Sequence, residues 1–257
     1  MTKAKFWAIA EVTAVTALTM TAIWFFQERP LPFVATVTML TAVILVSFAT
    51  RIYITKKAIP NDLEPATRNA LIAEKIGDYT QELGIGRWRR SFRRGWYVEF
   101  LDFSWAFRLA CLTVLGLALI LIAGYFFKPE FWLMRKFWSR VILGIPGYIV
   151  WGVLQQFALH AVATNRIYSI FAGDLNPGLC DKRAAGWTAL ISGILFFFAH
   201  IPNPTLMIVT PIAGAATAYI FLNCRNIFML GIAHGVLGNT IGYCLANNLA
   251  IGPNYWS

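Results

Sequence analysis

The sequence predicts an all-α, polytopic membrane bundle of seven to eight spans. Hydrophobic residue types make up 58% of the 257 residues and charged types only 13%, about half of the quarter that is usual in a soluble domain. Mean hydropathy is +0.60. The apolar residues also fall into long runs, and roughly 17–25 of them in a row cross a hydrocarbon core about 30 Å thick. This composition excludes a disordered chain, a collagen-like fibre and a disulfide-stapled secreted miniprotein.

The runs are read in order. The first, Phe6 to Phe26, follows Lys3 and Lys5. It is too long for a signal-peptide core and has no small-residue cleavage site, so it reads as a retained anchor. The second, 33–54, completes a two-span N-terminal hairpin over residues 1–54. Residues 55–102 differ: they hold seven of the twelve acids and the cluster Arg87, Arg89, Arg90, Arg93 and Arg94, interleaved with Trp88, Phe92 and Trp96. Leu63 to Leu83 has helical spacing with mixed charge. The whole segment is expected to be a cytoplasmic amphipathic hairpin whose basic, aromatic end rests on anionic headgroups. A nucleic-acid role is set aside, because nothing else in the chain resembles a nucleic-acid module.

The remaining membrane core covers 103–257. Its spans are Phe103 to Phe127, Val141 to Ala163, Gly186 to Ile201, Thr205 to Leu222 and Ile227 to Ile251. Residues 128–140, basic and aromatic, suit an interfacial or half-buried eighth helix. Seven spans put the N-terminus in the cytoplasm. All the Lys and Arg residues then lie inside except Arg29, Lys128, Arg135, Lys136 and Arg140, as the positive-inside rule requires. The net charge of +10 is explained by that rule, and the expected location is the cell (plasma) membrane, with lipid as a partner. Cys111, Cys180, Cys224 and Cys244 form no C-x-x-C pair and read as small hydrophobes.

Polar groups inside a bilayer are costly and so are functional candidates. They are Glu11 in the first span, Gln155, Gln156 and His160 in the fourth, His200 at the end of the fifth, and His234 and Asn239 in the seventh. Those three histidines are all the chain has. Gln156 and His160 are i, i+4 neighbours on a helix, as are Phe196 and His200. Gly231, Gly235, Gly238 and Gly242 form a smooth stripe for close helix approach, with His234 at its edge. Glu11 is read as snorkelling or as half of a structural pair.

The strings W-G-x-x-Q-Q-F-x-x-H, F-F-F-A-H and A-H-G-V-L-G-N resemble the three motifs of the CPBP family, the CAAX-protease and bacteriocin-processing (Abi) intramembrane proteins. The family patterns are E-E-x-x-x-R, F-x-x-x-H and H-x-x-x-N, and the resemblance covers roughly residues 137–250. It implies hydrolysis of a peptide or protein tail within the membrane, with a glutamate and histidine activating water and His and Asn stabilising the oxyanion. The site residues it implies are His200, His234, Gln155, Gln156, His160 and Asn239. Gln155 and Gln156 stand at the glutamate positions, His160 at the arginine, and Gly238 at the asparagine, with Asn239 one residue late. A glutamine amide cannot take a proton from water. Three alternatives follow: a histidine base, a divalent metal held by His200 and His234, or a non-catalytic binding, immunity or scaffold protein. A small transporter is a further rival, though no internal repeat supports it. His160 either lines the cavity or replaces the hydrogen bonds of an arginine. The cavity is expected between spans four and seven, with the Pro202-Asn203-Pro204 turn buried in protein or lining it.

Overall fold

The computed structural model describes residues 3–25, 34–35, 38, 41–42, 45–46, 49, 52–53, 56–83, 87–91, 95–99, 103–132, 137–172 and 181–245. The fold is helical, with one short ribbon among the described residues. Helix α1 spans Lys3–Phe25. The described residues of 33–54 are helical and largely exposed. Helix α2, Pro65–Glu82, has Pro65 in its first turn, where a missing N–H costs nothing. It matches the expected amphipathic helix.

Beyond α2 the basic, aromatic end of the expected amphipathic hairpin forms two antiparallel strands, β1 (Arg87–Ser91) and β2 (Gly95–Glu99). The register pairs Arg87 with Glu99 and Arg90 with Trp96. Gly95 and the aromatic and β-branched residues of β2 favour a hairpin over a helix.

Helix α3 spans Phe103–Phe127, as the apolar run predicts. A short turn α4, Pro129–Trp132, falls in the stretch read as interfacial, and α5 runs Phe137–Gln156. The chain then continues without a break through a π-helical segment, Phe157–Thr164, into α6, Asn165–Ala172. Helices α7 (Lys182–Ala199), α8 (Pro204–Cys224) and α9 (Ile227–Cys244) complete the core. Each of these three starts on a side-chain cap: Asp181 accepts from the Arg183 N–H, Asn203 from Leu206 and Asn226 from Met229. Such caps satisfy backbone donors that the first turn leaves open.

Four helical stretches among the described residues are long and apolar enough to cross a membrane: Trp105–Phe127, Trp138–Ala172, Pro204–Cys224 and Ile227–Cys244. In α1 the apolar part is the shorter Ile9–Thr21. The outer faces are apolar to a degree water would not tolerate, with Leu143 78% and Phe127 77% exposed. Contiguous exposed apolar surface on this scale marks a lipid-facing protein.

Packing inside the bundle rests on missing side chains. A Cβ on Gly152 would lie 2.6 Å from the Gly231 carbonyl oxygen, and one on Gly235 2.5 Å from the Cα of Ile149. Helices α5 and α9 therefore meet backbone to backbone, the geometry that small residues permit in membranes. Gly193 of α7 approaches Pro211 and Ala215 of α8, and Gly214 of α8 approaches Phe196. The α8–α9 turn is closed by Arg225 in a left-handed conformation, φ 48°. Its guanidinium donates to the Asn165 side-chain oxygen and stands 5.1 Å from the Phe221 ring centroid. Cys111 is exposed, Cys224 and Cys244 are buried, and all three are free thiols; Cys180 lies outside the described residues.

Candidate functional site

The candidate polar side chains of the fourth span lie in or just before the π-helical segment. A π turn adds one residue to a helical turn, rotates everything after it and frees polar groups, which is why such turns recur at functional sites. Gln155 and Gln156 precede it by two residues and one, and His160 lies inside it.

The two glutamines take different partners. Gln156 is 1% exposed, and its amide nitrogen lies 3.1 Å from His234 Nδ1 across the α5–α9 contact. With the amide donating, His234 accepts at Nδ1 and carries its proton on Nε2. The other amide atom, Gln156 Oε1, has no hydrogen-bond partner among the described residues. Gln155 instead lines a partly open cleft of about 80 Å³ together with His200.

His200 closes α7. Its Nδ1 lies 2.7 Å from the Phe196 carbonyl oxygen, one turn back. A carbonyl only accepts, so Nδ1 bears the hydrogen and the lone pair of the neutral ring is on Nε2. The Phe196 ring stands edge-on to His200 at 4.6 Å between centroids and 6.1 Å from His234. One aromatic ring thus touches both imidazoles, which hold complementary tautomers: His200 accepts at Nε2, and His234 donates there.

His160 belongs elsewhere. It is fully buried, with Nδ1 3.0 Å from Thr164 Oγ1 and Nε2 3.0 Å from Thr217 Oγ1. Its ring stacks on Phe221 at 5.5 Å. Thr164 also bonds Ser192 and the Leu159 carbonyl, each at 3.0 Å. Both ring nitrogens are consumed in tying the π-helical segment to α7 and α8. Of the two roles open to His160, the hydrogen-bonding one fits this geometry.

Asn239 is also apart. Its amide donates to the Val141 carbonyl at 2.8 Å and abuts Gly144, clipping α9 to α5. Gly238 lies one turn on from His234: a Cβ there would lie 4.0 Å from His234 Nε2 and 3.9 Å from Tyr148. Glu11 forms an ion pair with Arg166, joining α1 to α6. The turn after His200 is packed, with Asn203 2% exposed.

The cleft is not bounded as expected. Its walls come from α1 (Val15, Thr16, Thr19, Met20), the π-helical region and the end of α7, so the first helix joins the site and α9 approaches it only behind Phe196. Spacing rules missed Thr164, Ser192 and Thr217 because they meet through a π turn, and no pattern in the sequence announces one. Among the described residues no three His, Cys, Asp or Glu side chains gather to hold a metal ion. His200 and His234 each have Nδ1 engaged, and of the two only His200 presents an Nε2 lone pair, because His234 carries its hydrogen there. No family model, curated protein or solved structure matches the chain.

Proposed function

We propose that the chain is a divergent CPBP-like intramembrane endopeptidase. It is a seven-span bundle of the cell membrane with a cytoplasmic N-terminus, and it accepts a peptide or protein tail in the cleft beside His200. In this mechanism neutral His200 takes a proton from water at Nε2 while the water oxygen attacks the scissile carbonyl. With the Phe196 ring turned aside, His234 Nε2–H donates to the developing oxyanion, Gln155 orients the water, and protonated His200 returns its proton to the leaving amine. The observation that carries this is the pairing of tautomers around Phe196, one imidazole fixed as acceptor and the other as donor.

A second reading, a non-catalytic binding or immunity protein on the same fold, is favoured by one observation: the described residues lining the cleft include no carboxylate. Proteolysis separates the two. Purified protein in proteoliposomes is given prenylated and membrane-anchored peptides, with His200→Ala and His234→Ala as controls. Cleavage by wild type and loss in both variants supports the peptidase. Cleavage unchanged in both rejects these roles, and binding without cleavage in every case supports the second reading.

A further inference from the structure

Exchanging a glutamate for a glutamine at position 156 alters more than charge. An ionised carboxylate only accepts hydrogens, whereas an amide nitrogen only donates them. The atom of Gln156 that faces His234 Nδ1 is that nitrogen, at 3.1 Å. Gln156 is 1% exposed, so bulk water does not compete for the bond. The imidazole is also held in place. Gly152 lies one turn before Gln156 on α5, and a Cβ there would stand 3.2 Å from His234 Cδ2. The Phe196 ring stands 6.1 Å from His234 between centroids. Turning the imidazole over would exchange Nδ1 with Cδ2 and give up the bond to Gln156. Nε2 is left facing the space at Gly238, where a Cβ would be 4.0 Å away.

We propose that Gln156 is a positioning residue that fixes His234 as a hydrogen donor at Nε2, and that Gln156→Glu reverses this polarity. The donating amide needs the lone pair of Nδ1, and a neutral ring then has its one hydrogen on Nε2. The carboxylate of the variant draws that hydrogen to Nδ1 and leaves a lone pair on Nε2. His200 already presents a lone pair there, because its Nδ1 donates to the Phe196 carbonyl. Wild type thus holds one acceptor and one donor, and the variant holds two acceptors. The two glutamines therefore differ in what an acid would do in their place. At 155, in the cleft with His200, it supplies a base; at 156 it removes the donor meant for the oxyanion. The consequence for catalysis rests on the peptidase reading above, and the tautomer of His234 does not.

The test uses the full chain in proteoliposomes, carrying nitrogen-isotope-labelled histidine, at about pH 9, well above the ordinary imidazole value of about 6.5. Nitrogen chemical shifts distinguish a ring nitrogen that bears hydrogen from one that bears a lone pair. The chain has three histidines, and the signals of His234 are those lost in His234→Ala. Wild type is expected to carry the His234 hydrogen on Nε2, and Gln156→Glu to carry it on Nδ1. A wild-type hydrogen on Nδ1, or the same nitrogen protonated in both proteins, overturns the proposal. Folding is checked by melting temperature in detergent. Should Gln156→Glu not fold, Gln156→Met decides, since it keeps the shape and loses the donor: a mixture of tautomers supports the proposal, and the unchanged wild-type tautomer overturns it. On membrane-anchored peptides, Gln156→Glu is expected to lose about 10²–10³ in turnover at this pH, the worth of one oxyanion donor. Turnover equal to wild type with the hydrogen moved overturns the catalytic consequence. If wild type cleaves nothing, the peptidase reading fails, and the tautomers alone decide the role of Gln156.

Discussion

At the residue scale, two buried histidines differ in what their loss should cost. His160 has both nitrogens bonded to threonine hydroxyls and is fully enclosed. Removing it opens space against Phe221 and takes one partner each from Thr164, which keeps Leu159 and Ser192, and from Thr217, which keeps the Ala213 carbonyl. Two lost hydrogen bonds, each worth about 0.5–1.5 kcal/mol net, together with the cavity left by a fully buried ring, are expected to lower the stability of His160→Ala by about 2 kcal/mol or more, seen as a clear drop in melting temperature. His200→Ala gives up one bond to a backbone carbonyl and should melt closer to wild type while losing peptide cleavage. Equal melting of the two variants would contradict this division of labour. Gly238 supplies a second expectation. Its missing side chain faces His234 Nε2 with no atom closer than 3.9 Å, so Gly238→Asn should fold normally and set an amide beside the proposed oxyanion. One oxyanion-hole donor is worth about 10²–10³ in turnover. Combined with Gln155→Glu, which restores a carboxylate base, it should raise cleavage at least tenfold over wild type, measured on the same peptides; no gain in the double variant would count against a competent pocket.

At the scale of elements, the α5–α9 contact shows how far sequence spacing carries. The glycine stripe on the last span predicts a close approach, and Gly231 and Gly235 do meet the backbone of Val153 and Ile149. Packing requires some of the glycines and not others. Gly235→Ala puts a methyl 2.5 Å from the Ile149 Cα, and backbone cannot yield as a flexible side chain can. It should melt well below wild type. Gly186 has no atom within 4 Å of such a methyl, so Gly186→Ala is expected to hold or raise the melting temperature, since alanine favours a helix over glycine by about 0.5–1 kcal/mol. The extents of α2 and α3 and the separation of Asn239 from His234 were likewise legible, because apolar runs and the 3.6-residue period govern them directly. The π-helical insertion was not. One extra residue per turn is stabilised by tertiary partners, here Thr164 bonding the carbonyl five residues back and Ser192 of α7, and local propensity carries no trace of them. That is why Gln156 and His160, which share a face in a regular helix, engage different neighbours. The ribbon at 87–99 was legible only as the basic end of an amphipathic hairpin, because its arginines and aromatics suit a helix as well as a strand, and pairing decides between them.

For the molecule as a whole, the question is what makes the first helix part of the core. Only Val15 among the described side chains of α1 is fully buried, and lipid is as apolar as the leucines and valines that α1 presents, so hydrophobic burial gives little reason for it to dock. The Glu11–Arg166 ion pair supplies one. Both side chains are largely withdrawn from solvent, at 26% and 12% exposure, and each charge alone at that depth would be costly. Truncating one partner of such a pair leaves the other uncompensated, whereas exchanging the charges keeps it matched. Glu11→Ala should therefore loosen α1 from α6 and open the cleft wall that Thr16, Thr19 and Met20 provide. Glu11→Arg combined with Arg166→Glu should recover much of the loss. The measurement is a disulfide crosslink between cysteines placed at Ala17 and on α6, in a background lacking the native thiols, whose yield reports docking. Glu11→Ala is expected to cut the yield severalfold and the charge-exchanged pair to restore at least half of it. If the single variant crosslinks as well as wild type, α1 is held by packing alone; if the exchange restores nothing, the contact depends on shape and not on charge.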